Sequence, residues 1–195
     1  MMPRKAWRWL MFAACVMAAG LGLSGLWIHA KAALAQVLLA RAWAQSDHGR
    51  RIERPWPWAD IAPIARLSVP RLHQDLIVLD GDSGQALAFG PGWTPGSALP
   101  ASPGLSVISG HRDTQFSFLK ALRPGDLLHL DGPDGSSDYR VDASRVVDSR
   151  SSRLPAATSA DRVWLVTCYP FDAIVPGGPL RYVVQAERIL PAMKG

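Results

Sequence analysis

Cysteine is almost missing from this chain: there are two among 195 residues, Cys15 and Cys168. Cys15 lies in a hydrophobic run and Cys168 in the polar-flanked remainder. The two belong to different phases, so no disulfide framework organises the fold. Basic residues are also scarce where a nucleic-acid partner would need them. The formal net charge is +5, yet residues 59–195 hold 13 Lys/Arg against 14 Asp/Glu. The excess sits wholly in residues 1–58, with eight Lys/Arg against two acids. A near-neutral globular portion carries no phosphate-tracking stripe, which argues against nucleic acid as a partner. Internal repeats and low-complexity tracts are lacking as well. So is a Gly-rich phosphate loop, which leaves "HRD" at 111–113 without its kinase companions; the position five after Asp113 is Phe118 rather than Asn. Around Cys168 there is no second Cys and no suitably spaced His pair, so a metal-ligand pattern is missing too.

What is present begins with a short cationic tip, "MMPRKAWRW", followed from Leu10 to Ile28 by 19 residues without an acidic or basic side chain. That length spans a hydrocarbon core as a helix, and Trp7, Trp9 and Trp27 bracket it where an interfacial aromatic belt sits. A cleaved signal peptide is the rival reading, since "AKA" and "ALA" within residues 30–35 offer small-residue cleavage sites. The run is longer than a usual signal h-region, and apolar helical character continues through residues 31–45, which favours an uncleaved anchor. With Arg4, Lys5 and Arg8 held in the cytoplasm, the C-terminal domain lies on the extracytoplasmic side of the inner membrane. Cys168 then resides where thiols usually oxidise. An unpaired thiol there is either buried and inert or kept for its chemistry.

Three regions follow: residues 1–30 as basic tip and transmembrane anchor, 31–60 as helical extension and Pro/Trp linker, and 61–195 as the exported globular domain. Within the last, short β-prone runs alternate with Gly, Pro and Asp: "IARLSVP", "DLIVLD", "GLSVISG", "DLLHLDG", "YRVDASRVV", "RVWLVTC" and "LRYVVQAER". "DGPDGSSD" predicts a hairpin turn between the fourth and fifth. "TQFSFLKAL" carries helical spacing that "RPG" stops, and "DSGQALAF" predicts a further helical turn. Seven or eight short strands imply an all-β fold, a closed barrel or a sandwich.

Three side chains at strand ends are chemically suggestive. His111 follows an apolar strand and a Gly in "SGHRD"; Cys168 closes "RVWLVTC"; Arg181 opens "LRYVV" after "VPGGP". A free thiol is only about 3% thiolate at neutral pH, so nucleophilicity needs a basic or cationic neighbour. An imidazole supplies that and then protonates a leaving amine. A guanidinium can hydrogen-bond an acyl oxygen as negative charge builds. Each residue alone also fits a structural role: a core thiol, one histidine among five, a surface charge.

Together these motifs resemble the sortases, cysteine transpeptidases anchored in bacterial membranes. "LVTC" looks like their TLxTC signature, with Trp164-Leu165-Val166 where its first Thr is expected and Thr167-Cys168 retained. His at the end of an upstream strand and Arg on the strand after the Cys follow the family order. "ISGHRDTQFSFLKALRPGD" and "LVTCYPFDAIVPGGPLRYVV" are more similar to the proteobacterial (class GN) type. The resemblance implies a closed eight-stranded sortase-type β-barrel with one or two short helices behind the anchor. It implies Cys168 as nucleophile, His111 as general acid/base, Arg181 as the donor steadying substrate and oxyanion, and Thr167 as a residue shaping the oxyanion pocket. Asp113 would cap "TQFSFLKAL" or orient the site, the cap being favoured. The implied partners are a protein substrate with an LPXTG-like C-terminal sorting signal, one dedicated substrate in Gram-negative relatives, and an amine acceptor. No cofactor and no metal is implied.

Rival functions use the same residues differently. A thiol hydrolase would let water resolve the acyl-enzyme. An L,D-transpeptidase is disfavoured, because that family keeps its His and Cys close together in an SHG-type motif, and here they lie 57 positions apart. A barrel that has lost activity would serve as a membrane-tethered binding module.

Overall fold

The computed structural model describes residues 34–47, 50, 51, 53–152, 161–173 and 177–189. The apolar run of residues 10–28 lies outside them. Among the described residues no helix is long and apolar enough to cross a membrane. Residues 38–195 form one compact unit.

That unit is a closed β-barrel. Its strands are β1 (Pro63–Val69), β2 (Gln74–Asp80), β3 (Gly92–Trp93), β4 (Leu105–Ser109), β5 (Leu127–Gly132), β6 (Gly135–Asp148), β7 (Arg162–Cys168) and β8 (Leu180–Arg188). Around the barrel the order is β1-β2-β3-β4-β7-β8-β6-β5, closed by β5 pairing with β1. The pairs β2–β3 and β4–β7 are parallel and the rest antiparallel. Closure gives every strand a neighbour on both sides, although β2 meets the two-residue β3 only at Leu79 and Asp80. A helix α1 covers residues 34–45, and a single helical turn α2 (Gly84–Leu87) starts from Ser83, whose hydroxyl accepts from the Ala86 N–H.

Period-two alternation explains why these sequences close a barrel. Along β7 the side chains of Val163, Leu165 and Thr167 are buried inside, while Trp164, Val166 and Cys168 face out. The interior is filled by Leu67, Ile108, Leu128, Leu130, Tyr139 and Leu165, each fully buried. A second cluster joins Leu39 to Ala59, Ile61, Leu79 and Ala86, with Trp56 and Phe89 against it in an edge contact of 5.6 Å. Trp56 of the Pro/Trp linker is therefore docked on the barrel unit, whereas Trp58 is 79% exposed. A third cluster, Leu105, Val107, Trp164 and Val183, lies outside the barrel on neighbouring strands β4, β7 and β8.

"TQFSFLKAL" forms the expected short helix, wound as 3-10: Ser117–Ala121, with Leu119 N–H bonding Phe116 O and Leu122 N–H bonding Leu119 O. The tighter winding suits a short connection and still buries Phe116, Phe118, Leu119 and Leu122. One expectation needs correction: Asp113 does not cap this helix, because the N-cap position is Phe116 and no side chain bonds there. The eighth strand, absent from the sequence reading, is β3, too short at two residues to leave a pattern.

Candidate functional site

The site grows out of the β7–β8 ladder. Antiparallel register sets Cys168 opposite Arg181, Thr167 opposite Tyr182 and Val166 opposite Val183. Residues directly opposite in such a pair project to the same face, so the sulfur-bearing and guanidinium-bearing positions share the outer face at one barrel end. Cys168 is a free, half-buried thiol. Beyond it, the Tyr169 N–H bonds Leu180 O at 3.0 Å, and Tyr169 stacks on Tyr182 with centroids 6.3 Å apart. Phe171 meets Tyr182 edge-on at 5.2 Å. This aromatic group packs around the segment that leaves the strand, where the Tyr169–Pro170 peptide is cis.

His111 arrives from the other side. β4 runs parallel to β7 with Ser109 beside Val166, and the Gly110 N–H extends the ladder by bonding Val166 O at 3.0 Å. The Thr167 hydroxyl donates to Gly110 O at 2.7 Å. One residue later each chain places its chemistry: His111 after Gly110, Cys168 after Thr167. A Cβ on Gly110 would sit 2.8 Å from the ring of fully buried Phe116, so only glycine fits there. Phe116 N–H in turn bonds His111 O at 2.9 Å, closing the turn that holds the histidine. Thr167 is 2% exposed and faces inward. Its side chain ties the end of β7 to the residue that follows β4, next to Cys168.

Arg181 donates through Nη1 to Gly178 O at 2.6 Å and Leu180 O at 2.9 Å. Among the described residues nothing else bonds this guanidinium. The nearest acid along the ladder, Asp148 opposite Leu180, is taken by Arg150. That bond, with the Arg150 backbone N–H, draws the Asp148 carboxyl down to about 2. Asp148 stays ionised but spoken for, so the charge of Arg181 remains available to a ligand.

The outer face from Arg181 onward is a cavity of about 430 Å³. Val107, Trp164, Val166 and Val183 make its apolar floor, with Asp82 on one wall and Arg145 on the other. It ends at Ser109 and Val166, two residues short of His111 and Cys168. The thiol and imidazole therefore stand at the mouth of a groove that their own strands floor. Its shape and apolar floor suit an extended chain with apolar side chains. Among the described residues no group of three or more His, Cys, Asp or Glu is placed to hold a metal ion.

Sequence reasoning missed several contributors. Trp164 was readable from the alternation that exposes Cys168. Arg112 left no local signal, yet its Nη2 donates to Ala173 O at 2.7 Å, tying the histidine turn to the segment after the cysteine. Asp82 joins the site through Thr94, whose hydroxyl donates to it at 2.8 Å and lies 3.2 Å from the Ser109 hydroxyl.

Comparison with known proteins identifies the family and the fold. Residues 67–189 match the Sortase domain family. Sortase D of Bacillus subtilis is 32% identical over 124 residues, covering 63% of this chain and 62% of that protein, so the match spans less than two thirds of its length. Among solved structures, sortase A from Corynebacterium diphtheriae is 25% identical with a TM-score of 0.61, covering 76% of this chain and 70% of that one. Sortase C-1 from Actinomyces oris is 29% identical with a TM-score of 0.57, covering 68% and 77%.

Proposed function

Because the chain belongs to the Sortase domain family, whose members are generally cysteine transpeptidases, we propose that it cuts an LPXTG-like sorting signal and passes the acyl group to an amine. The observation that carries this reading is the convergence at the groove mouth: Cys168 opposite Arg181 on β8, and beside Gly110-His111 at the end of β4.

In this mechanism the Cys168 thiolate attacks the carbonyl carbon of the residue before the scissile bond. Negative charge moves to the carbonyl oxygen, where the Arg181 guanidinium hydrogen-bonds it. The C–N bond then breaks, the nitrogen takes a proton from the His111 imidazolium, and the C-terminal fragment leaves. The thioester persists until an acceptor amine arrives. His111 removes the proton from that amine, its nitrogen attacks, and the C–S bond breaks to regenerate the thiolate. The proton, electron pairs and leaving groups balance over the cycle, and no cofactor enters.

The anchor reading of residues 10–28 supports an inner-membrane location with the barrel outside the cytoplasm. The motifs around His111 and Cys168 favour the proteobacterial type, with one dedicated protein substrate.

Full-length protein in detergent micelles, incubated with LPXTG peptides and a simple amine, tests the proposal by mass spectrometry. A thioester on Cys168 and an amine-exchanged product are expected, and Cys168→Ala should give neither while keeping its melting temperature. Hydrolysed peptide without exchanged product at saturating amine would replace transpeptidase by thiol hydrolase. A Cys168 that reacts with a vinyl sulfone no faster than a free thiol would leave a binding module.

A further inference from the structure

The groove is electrically lopsided. Asp82 on the β4 side is engaged by Thr94 at 2.8 Å. Across the floor, Arg145 is exposed on β6 with its guanidinium carbon 5.3 Å from the centroid of the Trp164 ring. No acid among the described residues pairs with Arg145. The indole holds this exposed charge at the edge of the apolar floor by a cation–π contact.

From this we infer that Arg145 selects sorting peptides that carry an acidic side chain four residues before the one whose carbonyl is attacked. The inference rests on the transpeptidase reading of Cys168 given above. Register supplies the distance. Trp164 lies four positions before Cys168 on the same face of β7, which is about 13 Å at roughly 3.3 Å per residue. An extended peptide advances at nearly the same rate. A chain whose attacked carbonyl is at Cys168 therefore brings its residue four positions upstream over Trp164. The acyl half is the half that lies in the groove, because it must stay held through the thioester while the other fragment departs. In an LPXTG-like signal the three residues before Thr are the variable position, Pro and Leu, so the acidic side chain falls on the residue just before Leu. Such a carboxylate meets Arg145 on one wall and is repelled by Asp82 on the other, which fixes how the peptide lies across the groove.

The experiment uses full-length protein in detergent micelles with three fluorogenic LPXTG peptides that differ only in bearing Glu, Gln or Lys immediately before Leu. The expected order of kcat/KM is Glu, then Gln, then Lys, with about a fivefold span between Glu and Lys at low salt that shrinks at higher ionic strength. Arg145→Glu should reverse the order, and Arg145→Gln, the gentler change, should flatten it. Equal rates for all three peptides, or a preference that survives Arg145→Gln, overturns the inference and leaves the transpeptidase reading intact. Failure of the unaltered protein to cleave any peptide overturns both.

Discussion

Cys168 and Arg181 occupy the last rung of the β7–β8 ladder, directly opposite each other on the outer face of the barrel. Their proximity is set by backbone pairing rather than by side-chain contact. The guanidinium is braced through Nη1 by Gly178 O and Leu180 O, which aims it from the strand end instead of leaving it to sample solvent. Preorganisation of this kind is what an oxyanion donor requires.

Arg181→Lys tests that brace. A lysine keeps the charge but puts all its donors on one atom, so it lacks the planar fork whose Nη1 is braced by two carbonyls while Nη2 and Nε point elsewhere. The protein should fold with an unchanged melting temperature, and kcat/KM for an LPXTG peptide should fall by about a hundredfold or more, chiefly in kcat. Near-normal turnover would show that charge alone suffices.

Thr167→Val tests how the thiol and imidazole are held together. The change removes the 2.7 Å bond to Gly110 O and leaves a buried carbonyl short of a donor, at a cost of about 1–3 kcal/mol. Thr167→Ser, which keeps the hydroxyl, should restore much of the activity as well as the stability. Gly110→Ala should be worse than either, because its Cβ meets Phe116, which has no room to withdraw. Thermal melts with single-turnover acylation rates check all three.

Arg112→Ala removes the tie between the histidine turn and Ala173. Arg112 is a positioning residue, so the expected loss is in acylation rate with little change in melting temperature. The pH–rate profile should also shift as the imidazole loses its fixed placement. A loss confined to KM would instead place Arg112 in substrate binding.

His129 reports on the barrel's far wall and on pH. Its ring nitrogens lie 2.7 Å from Asp138 and 3.1 Å from Asp131. The bond to Asp138, aided by both carboxylate charges, raises this imidazole above its ordinary value against the opposing effect of burial. A histidine raised on folding adds stability that is fully present below the unfolded value of about 6.5 and is lost as pH rises through the folded value. NMR titration should find His129 above 6.5 in the native protein and lower in Asp138→Asn. The stability gap between the two proteins should close on going from acid to alkaline pH. It should be small throughout, since these groups are solvent-exposed and screened. A gap that widens with rising pH would reverse the assignment.

How much was legible beforehand follows from the range of each signal. Alternation has a period of two residues, so "RVWLVTC" and "LRYVVQAER" gave strands with the bounds Arg162–Cys168 and Leu180–Arg188. The same short-range reading put His111, Cys168 and Arg181 at strand ends and the turn at Gly132–Gly135. β3 escaped because two residues cannot display a period, and the helix at Ser117–Ala121 was legible but its 3-10 winding was not, because a short apolar spacing fits more than one winding.

What local pattern could not carry is pairing. That β4 lies parallel to β7, so that Gly110 meets Thr167, depends on contacts between residues 57 apart in the chain. The inward turn of Thr167, the tie from Arg112 and the Arg145–Trp164 wall of the groove all follow from that pairing and from barrel closure. The amino-acid sequence by itself determined which chemical groups the chain owns and which short segments are extended. Only the closed barrel decided which of those groups meet, because register between distant strands is set by burying both faces at once, a property no single segment possesses.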